Sequence, residues 1–296
     1  MSALHHPRRR AALQQGLSLA AAFGLTSAID PALAQAPSKA VRLVTLGGAI
    51  TEIVYLLGAQ AQLVGTDTTS LYPLAAQKTA KVGYMRQLSA EGLLSLKPDA
   101  IIATTEAGPT VVLDQIRSAG VQVELIKVDY TWAQVQRAVT AVGLASTREQ
   151  QAQSLLAQLN SQWATAQSAV ARYKGRKPRV LFILSHSASV QVAGEKTGAD
   201  AIIRYAGGQN AMSGFDGYRP LTAEAMSSVA PEIILTTTQG IEAYGGVDKF
   251  WTRPELSLTP AFKTKALLHM DALELLGFGP RMPQSVQKIH EKLLSS

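Results

Sequence analysis

The chain has 296 residues, a formal net charge of +7 and no cysteine. It therefore has no disulfide, thiolate metal site or cysteine nucleophile, no lipid on an N-terminal cysteine is expected, and it must draw its stability from the core that a chain of this length can bury. Beyond one arginine triplet the basic excess is spread out, without the clustered, aromatic-interleaved patch that nucleic acid requires; it suits a small anionic ligand.

In chain order, an export signal is expected first. Arg8-Arg9-Arg10 supplies a positive start, residues 16–25 form an apolar run, and Ala32-Leu33-Ala34 is a small-x-small cleavage site. Cleavage is expected after Ala34, because a cut after Ala36 would place Pro37 beside the scissile bond. The apolar run is shorter than the roughly 20 residues that a spanning helix needs, so no membrane anchor is expected. The consecutive arginines leave twin-arginine export open, with the general secretory route as the default. Loss of residues 1–34 removes three Arg and one Asp and takes the charge from +7 to +5. The mature protein is expected to be soluble and periplasmic.

The next segment, 41–145, reads as an α/β lobe. Strands are expected at 41–46, 63–65, 98–103 and 121–128. Gly47-Gly48 should break the first strand, a helix should open at Thr51-Glu52 and end at Gly58, and a polar loop should run over 66–73. A further helix is expected at 111–119, with Gly120 ending it. Residues 146–175 hold a run rich in Ala, Gln and Leu, with Leu155, Leu156, Leu159, Trp163, Ala166 and Val170 at helical spacing, which predicts one long helix. A second lobe, 178–296, should carry strands at 179–184 and 232–236, helices at 199–205, 223–229 and 283–294, and a Gly-rich loop at 209–220. Gly240, Gly245 and Gly246 read as a loop, and 251–261 as irregular. The expected class is α/β: two lobes, each with a central mostly parallel sheet flanked by helices, joined by one long spine helix.

One pattern occurs twice. Leu88-Ser89-Ala90-Glu91 leads to Pro98-Asp99, and Leu221-Thr222-Ala223-Glu224 leads to Pro231-Glu232; Arg86 and Arg219 precede the two copies, and every pair is 133 residues apart. That spacing is too long for a solenoid and reads as two related lobes. Related lobes suggest a ligand held between them.

The residues also resemble a known family. GGAITEIVYLLGAQ at 47–60, VGTDTTSLYP at 64–73, VGYMRQLSAEGLLSLKPD at 82–99, VAGEKTGADAIIRYAGGQNA at 192–211, GYRPLTAEAM at 217–226 and MDALELLGFGPR at 270–281 carry a likeness to periplasmic binding proteins for metal chelates and cobalamin. Within that group the chain is most similar to the haem-binding proteins of bacterial haem ABC importers. The resemblance spans nearly all of the mature chain, and TSLYP and GYMRQLSAEG are its most specific parts.

The resemblance implies that Tyr72, in the TSLYP loop, is the axial ligand to ferric haem iron. Tyrosinate is a hard anionic donor that suits Fe(III); the ordinary structural alternative is a half-buried loop tyrosine. Haem carries two propionates, and Arg86 and Arg219 could each grip one in a bidentate fork, unless they are surface ion pairs. Tyr84 and Tyr218 would add an aromatic wall, and Met85 and Met212 an apolar contact. His186, just after an apolar strand, is the candidate second axial ligand, with a structural histidine as the alternative. His269 reads as packed or solvated, and His290 as exposed on the last helix. Glu91 and Glu224 each sit in the first turn of a helix, where a carboxylate favours the helix dipole. The resemblance also implies that the pair docks on the two permease subunits of the importer, and matched contacts are what a two-fold partner requires.

The expected function is a monomeric periplasmic carrier that binds haem between two lobes and delivers it to an ABC importer, without catalysis. A carrier of cobalamin or a ferric siderophore is the alternative. An exported α/β enzyme is a third reading, which the absence of GxSxG, P-loop, GxGxxG and HExxH patterns disfavours. Asp67 and Glu106 are loop carboxylates that nothing in the sequence pairs with a base or nucleophile.

Overall fold

The computed structural model describes residues 40–186 and 189–295; the expected export signal lies outside them. The first lobe runs β1 (Leu43–Leu46), α1 (Gly48–Leu56), β2 (Leu63–Thr66), α2 (Ala90–Ser95), β3 (Ala100–Thr104), α3 (Thr110–Ser118), β4 (Gln122–Ile126) and α4 (Trp132–Ala145). Its sheet has the order β2-β1-β3-β4 and is parallel throughout. Parallel strands are covered on both faces and so read as continuous apolar runs. Alternate residues serve opposite sides: Ile102 joins Ile50, Ile53 and Val139 on one face, while Ile101 joins Val44, Leu93 and Ile116 on the other.

Helix α5 (Glu149–Arg172) follows, and at 24 residues it is about 36 Å long. Its buried residues are Ala152, Leu159 and Ala166, one every seventh position, which is a single stripe. Ala152 and Leu159 pack in the core beneath the first sheet, and Ala166 packs in a core of the second. Trp163 on α5 stacks on Trp132 of α4 at 4.9 Å and meets Tyr205 edge-on at 5.1 Å.

The second lobe runs β5 (Arg179–His186), β6 (Ser189–Ala193), α6 (Gly198–Tyr205), β7 (Gln209–Asn210), β8 (Tyr218–Pro220), α7 (Ala223–Val229), β9 (Ile233–Thr237), α8 (Thr238–Tyr244), α9 (Val247–Phe250), α10 (Pro260–Thr264), β10 (Leu267–Met270), α11 (Ala272–Leu276) and α12 (Met282–Leu294). Its sheet has the order β10-β9-β5-β6-β8, with β7 beside the start of β5. Strands β10, β9 and β5 are parallel, and β6 and β8 extend the sheet antiparallel.

The repeat is a property of the fold. Strands β3 and β9 have the same length and start 133 residues apart, and each pairs with the first strand of its lobe and with one further strand. The residue before each strand does one job twice. Asp99 accepts the backbone N–H of Arg42 at 2.8 Å, and Glu232 accepts that of Arg179 at 2.8 Å. Glu232 also holds Arg176 in a two-pronged pair at 2.8 and 2.5 Å. The Arg176 hydrogen bond, opposed in part by desolvation and aided by the Arg179 N–H, pulls the Glu232 carboxyl down to about 2. A lowered folded value means that Glu232 stabilises the fold above its unfolded value near 4.3 and that this stability is lost as pH falls towards about 2. Because the pair is largely solvated, Glu232→Gln should cost on the order of 1 kcal/mol in urea denaturation at pH 7. The deficit should shrink as pH falls below about 4 and be gone only once pH drops below the folded value of about 2; one that stayed constant from pH 7 to that point would contradict the ionic origin.

Several expectations need correction. Gly47 caps α1 at φ +123°, so the glycine pair begins the helix at once and puts Glu52 in its buried middle. Gly240 lies inside α8, where Thr237 Oγ1 accepts its N–H at 2.9 Å. Helix α4 and the strands β6, β8 and β10 were not expected. His290 is 5% exposed, not solvated: its Nδ1 lies 2.9 Å from the Ala206 carbonyl. The chain makes room for it at Gly207, where a Cβ would meet the imidazole and Val170.

Candidate functional site

A cavity of about 640 Å³ lies between the two sheets, walled by residues from both lobes. Gly47 and Thr104 bring the carboxyl ends of β1 and β3 to it, and Leu184 and Thr237 bring those of β5 and β9. The carboxyl edge is where open parallel sheets gather ligands. Leu273, Leu276 and Ile50 make apolar walls, and Tyr84, Arg86, Glu106, Tyr130 and Tyr218 make a polar one.

The loop after β2 is set by a buried carboxylate. Asp67 Oδ1 accepts from Gly47 N at 3.0 Å and Ser70 Oγ at 2.7 Å, and its Oδ2 accepts from Thr69 N at 3.0 Å and Thr69 Oγ1 at 2.5 Å. Asp67 thus ties the start of α1 to the loop that presents Leu71 to the cavity and Tyr72 beside it. Tyr72 is 45% exposed and is not itself among the wall residues. The guanidinium carbon of Arg281 lies 4.1 Å from its ring centroid. Arg281 Nε is 3.0 Å from both oxygens of Glu52 on α1, and its Nη1 is 3.6 Å from Glu274 and 3.9 Å from Asp271. An arginine of the second lobe therefore joins the first lobe's helix, the Tyr72 ring and α11.

Arg86 is committed to two neighbours: it donates through Nη1 to the Tyr84 hydroxyl and through Nη2 to Glu106. Partial burial disfavours the Arg86 charge, but Tyr84 and Glu106 outweigh it and the net shift is upward. Tyr130 donates to Glu106 Oε1 at 3.4 Å. Burial, then the Glu106 charge, holds the Tyr130 phenol above its usual value. Desolvation inside the cleft, then Tyr130 and Glu106, pushes Tyr218 up to about 12, even though the residue is 38% exposed. Both phenols keep their protons at neutral pH.

The cavity wall brings Tyr84, Met85, Arg86 and Tyr218 together. It does not include Arg219 or Met212. Arg219, on the outer strand β8, lies over the Phe215 ring at 4.3 Å, and Met212 is 8% exposed in the core with Leu181 and Ile183. His186 ends β5, and its side chain lies outside the described residues. His269 is exposed, with Nδ1 3.2 Å from Thr238 Oγ1. Arg281, Glu52, Tyr130 and the pairing role of Glu106 escaped the sequence reading. The only signal for Arg281 was its place at the end of the MDALELLGFGPR match.

The family model described as "periplasmic binding protein" matches residues 43–273. The chain belongs to that family. This binding protein is 41% identical to the solved periplasmic haem-binding protein BhuT in complex with two haems, with a TM-score of 0.81, covering 86% of this chain and 98% of that one. It is 35% identical to the solved periplasmic haem-binding protein RhuT of Roseiflexus sp. RS-1 in apo form, again with a TM-score of 0.81 and the same coverages. A vitamin B12-binding protein of Vibrio vulnificus is 24% identical over 257 residues, 86% of this chain and 90% of that protein. The family and these neighbours are binding proteins, not enzymes.

The two candidate docking glutamates of this binding protein are both exposed in the first turn of their helices, Glu91 on α2 and Glu224 on α7. Ser89 caps α2, its Oγ accepting from Gly92 N at 3.4 Å. Among the described residues no helix is long and apolar enough to cross a membrane.

Proposed function

We propose that this protein is an exported, monomeric carrier that binds haem in the cavity between its lobes and hands it to the permease of an ABC importer. The lobes are residues 41–145 and 178–296, joined through 146–175. Residues 1–34 act as the export signal, cleaved near Ala34, and the mature protein works in the periplasm without catalysis. The reading rests chiefly on one observation: an exposed tyrosine, Tyr72, stands beside a large two-sided cavity with a guanidinium against its ring. A hard anionic oxygen of this kind suits ferric haem. Arg86 in the wall offers a cation to a propionate. Glu91 and Glu224 would engage a permease dimer, one from each lobe, as the repeat favours. His186 remains the candidate for a second axial ligand.

Cobalamin is the second reading, favoured by the likeness to a vitamin B12-binding protein. Its amide side chains do not need an arginine, and it brings its own axial ligand. The deciding experiment is titration of the mature protein with ferric haem and with cyanocobalamin. A saturable Soret shift with haem, and no change with cyanocobalamin, is expected. The reverse would overturn the haem assignment.

A further inference from the structure

A carboxylate in the wall of a site for a dianionic ligand calls for explanation. Glu106 lines the cavity, pairs with Arg86 and accepts from Tyr130, and its charge is felt by both Tyr130 and Tyr218. It thus occupies the place at Arg86 that a ligand carboxylate would take. The fold does not demand the charge. Glu106 lies two residues beyond β3, and its counterpart 133 residues on, two beyond β9, is the neutral isostere Gln239. Gln239 also lines the cavity. It donates from Nε2 to Asp271 at 2.8 Å and accepts the Ala272 N–H at 3.0 Å, leaving Arg219, the counterpart of Arg86, over Phe215.

We infer that Glu106 is a specificity-determining competitor: it holds Arg86 in the cavity wall and must be displaced there by a propionate of the incoming ligand. This rests on the haem reading. Two consequences follow from ordinary electrostatics. A ligand carboxylate gains at Arg86 only the difference between its own contact and that of Glu106, which limits affinity and eases release. A ligand without carboxylates leaves the Arg86–Glu106 pair intact and neither gains nor loses by it. Discrimination is set by such differences, and a partly exposed pair makes this one modest.

The test uses the mature protein and its Glu106→Gln variant, each titrated with ferric haem and with its dimethyl ester, whose propionates are capped. Glu106→Gln is expected to tighten haem binding roughly fivefold, the scale of a partly exposed ion pair, and to leave ester binding unchanged. Raising the salt concentration should shrink the gain. Equal changes for haem and ester, no change for either, or weaker haem binding by the variant would each overturn the inference while leaving the haem carrier standing. Failure of the wild type to bind haem at all would overturn both. A thermal melt matching that of the wild type establishes that the variant is folded, as the neutral residue at the equivalent place in the other lobe leads one to expect.

Discussion

Tyr72→Phe is expected to remove the ferric tyrosinate charge-transfer band and to weaken haem binding by at least about a hundredfold, the upper end of what losing even a group behind a metal ligand costs. Phenylalanine keeps the ring that lies 4.1 Å from the Arg281 guanidinium, so the loop should keep its shape. The exposed position implies a stability change within about 0.5 kcal/mol. What is lost is the oxygen alone.

The cavity offers other phenols, so the choice of Tyr72 can be argued. Tyr130 donates a hydrogen bond to Glu106, and desolvation in the cleft, then Tyr130 and Glu106, pushes Tyr218 up to about 12 although the residue is 38% exposed. An iron ion would have to strip a proton held by a carboxylate or by desolvation. Tyr84 accepts from Arg86, which is itself committed to Glu106. Tyr72 has a cation against its ring and no carboxylate beside its hydroxyl among the described hydrogen bonds. Absorption and magnetic circular dichroism of the haem-loaded variants separate the cases. An intact tyrosinate band in Tyr72→Phe, lost instead in Tyr130→Phe or Tyr218→Phe, would refute the assignment.

The parts legible in the sequence were those fixed by short-range pattern. The second copy of the Arg-x-Leu-Ser/Thr-Ala-Glu motif located β9 from β3 by offset alone, because proline and an acidic residue open both strands. The long helix was legible because nothing in it breaks the helical period. Gly47-Gly48 misled because a glycine at positive φ can cap a helix as well as end a strand. Arg86 and Arg219 have equivalent positions but different surroundings. The antiparallel addition β6–β8 carries Arg219 out to an edge strand, whereas Arg86 stays in the cavity wall. No local pattern announces that addition. Glu106 was visible as an isolated carboxylate; its partner lies 20 residues earlier and becomes adjacent only when β3 brings its end to the cavity. The Glu52–Arg281 pair spans 229 residues and joins two lobes, a separation no periodicity can encode.

That pair carries the last and largest stability prediction. Glu52 sits with its side chain 6% exposed, and Arg281 Nε faces both its oxygens. Burial holds the Glu52 carboxyl above its ordinary value even against the pull of Arg281, with Glu274 and Asp271 adding to the rise. Arg281→Ala would strand this carboxylate, and breaking such a buried pair costs about 3 kcal/mol or more, or roughly 6–12 °C in Tm for a chain of this size. The sign with pH follows from the raised value. The stranded carboxyl is harmless when protonated, so the deficit should be greatest at pH 7 and shrink as pH falls towards the unfolded value near 4.3. Glu52→Gln in the Arg281→Ala background should recover most of the stability, since it removes the unpaired charge. The double variant then separates two roles of Arg281. If its melting temperature returns while its haem affinity stays low, Arg281 holds the Tyr72 ring for ligation as well as joining the lobes. A single Arg281→Ala variant within 1 kcal/mol of wild type at pH 7 would show instead that water reaches Glu52 and that the pair is only a surface contact.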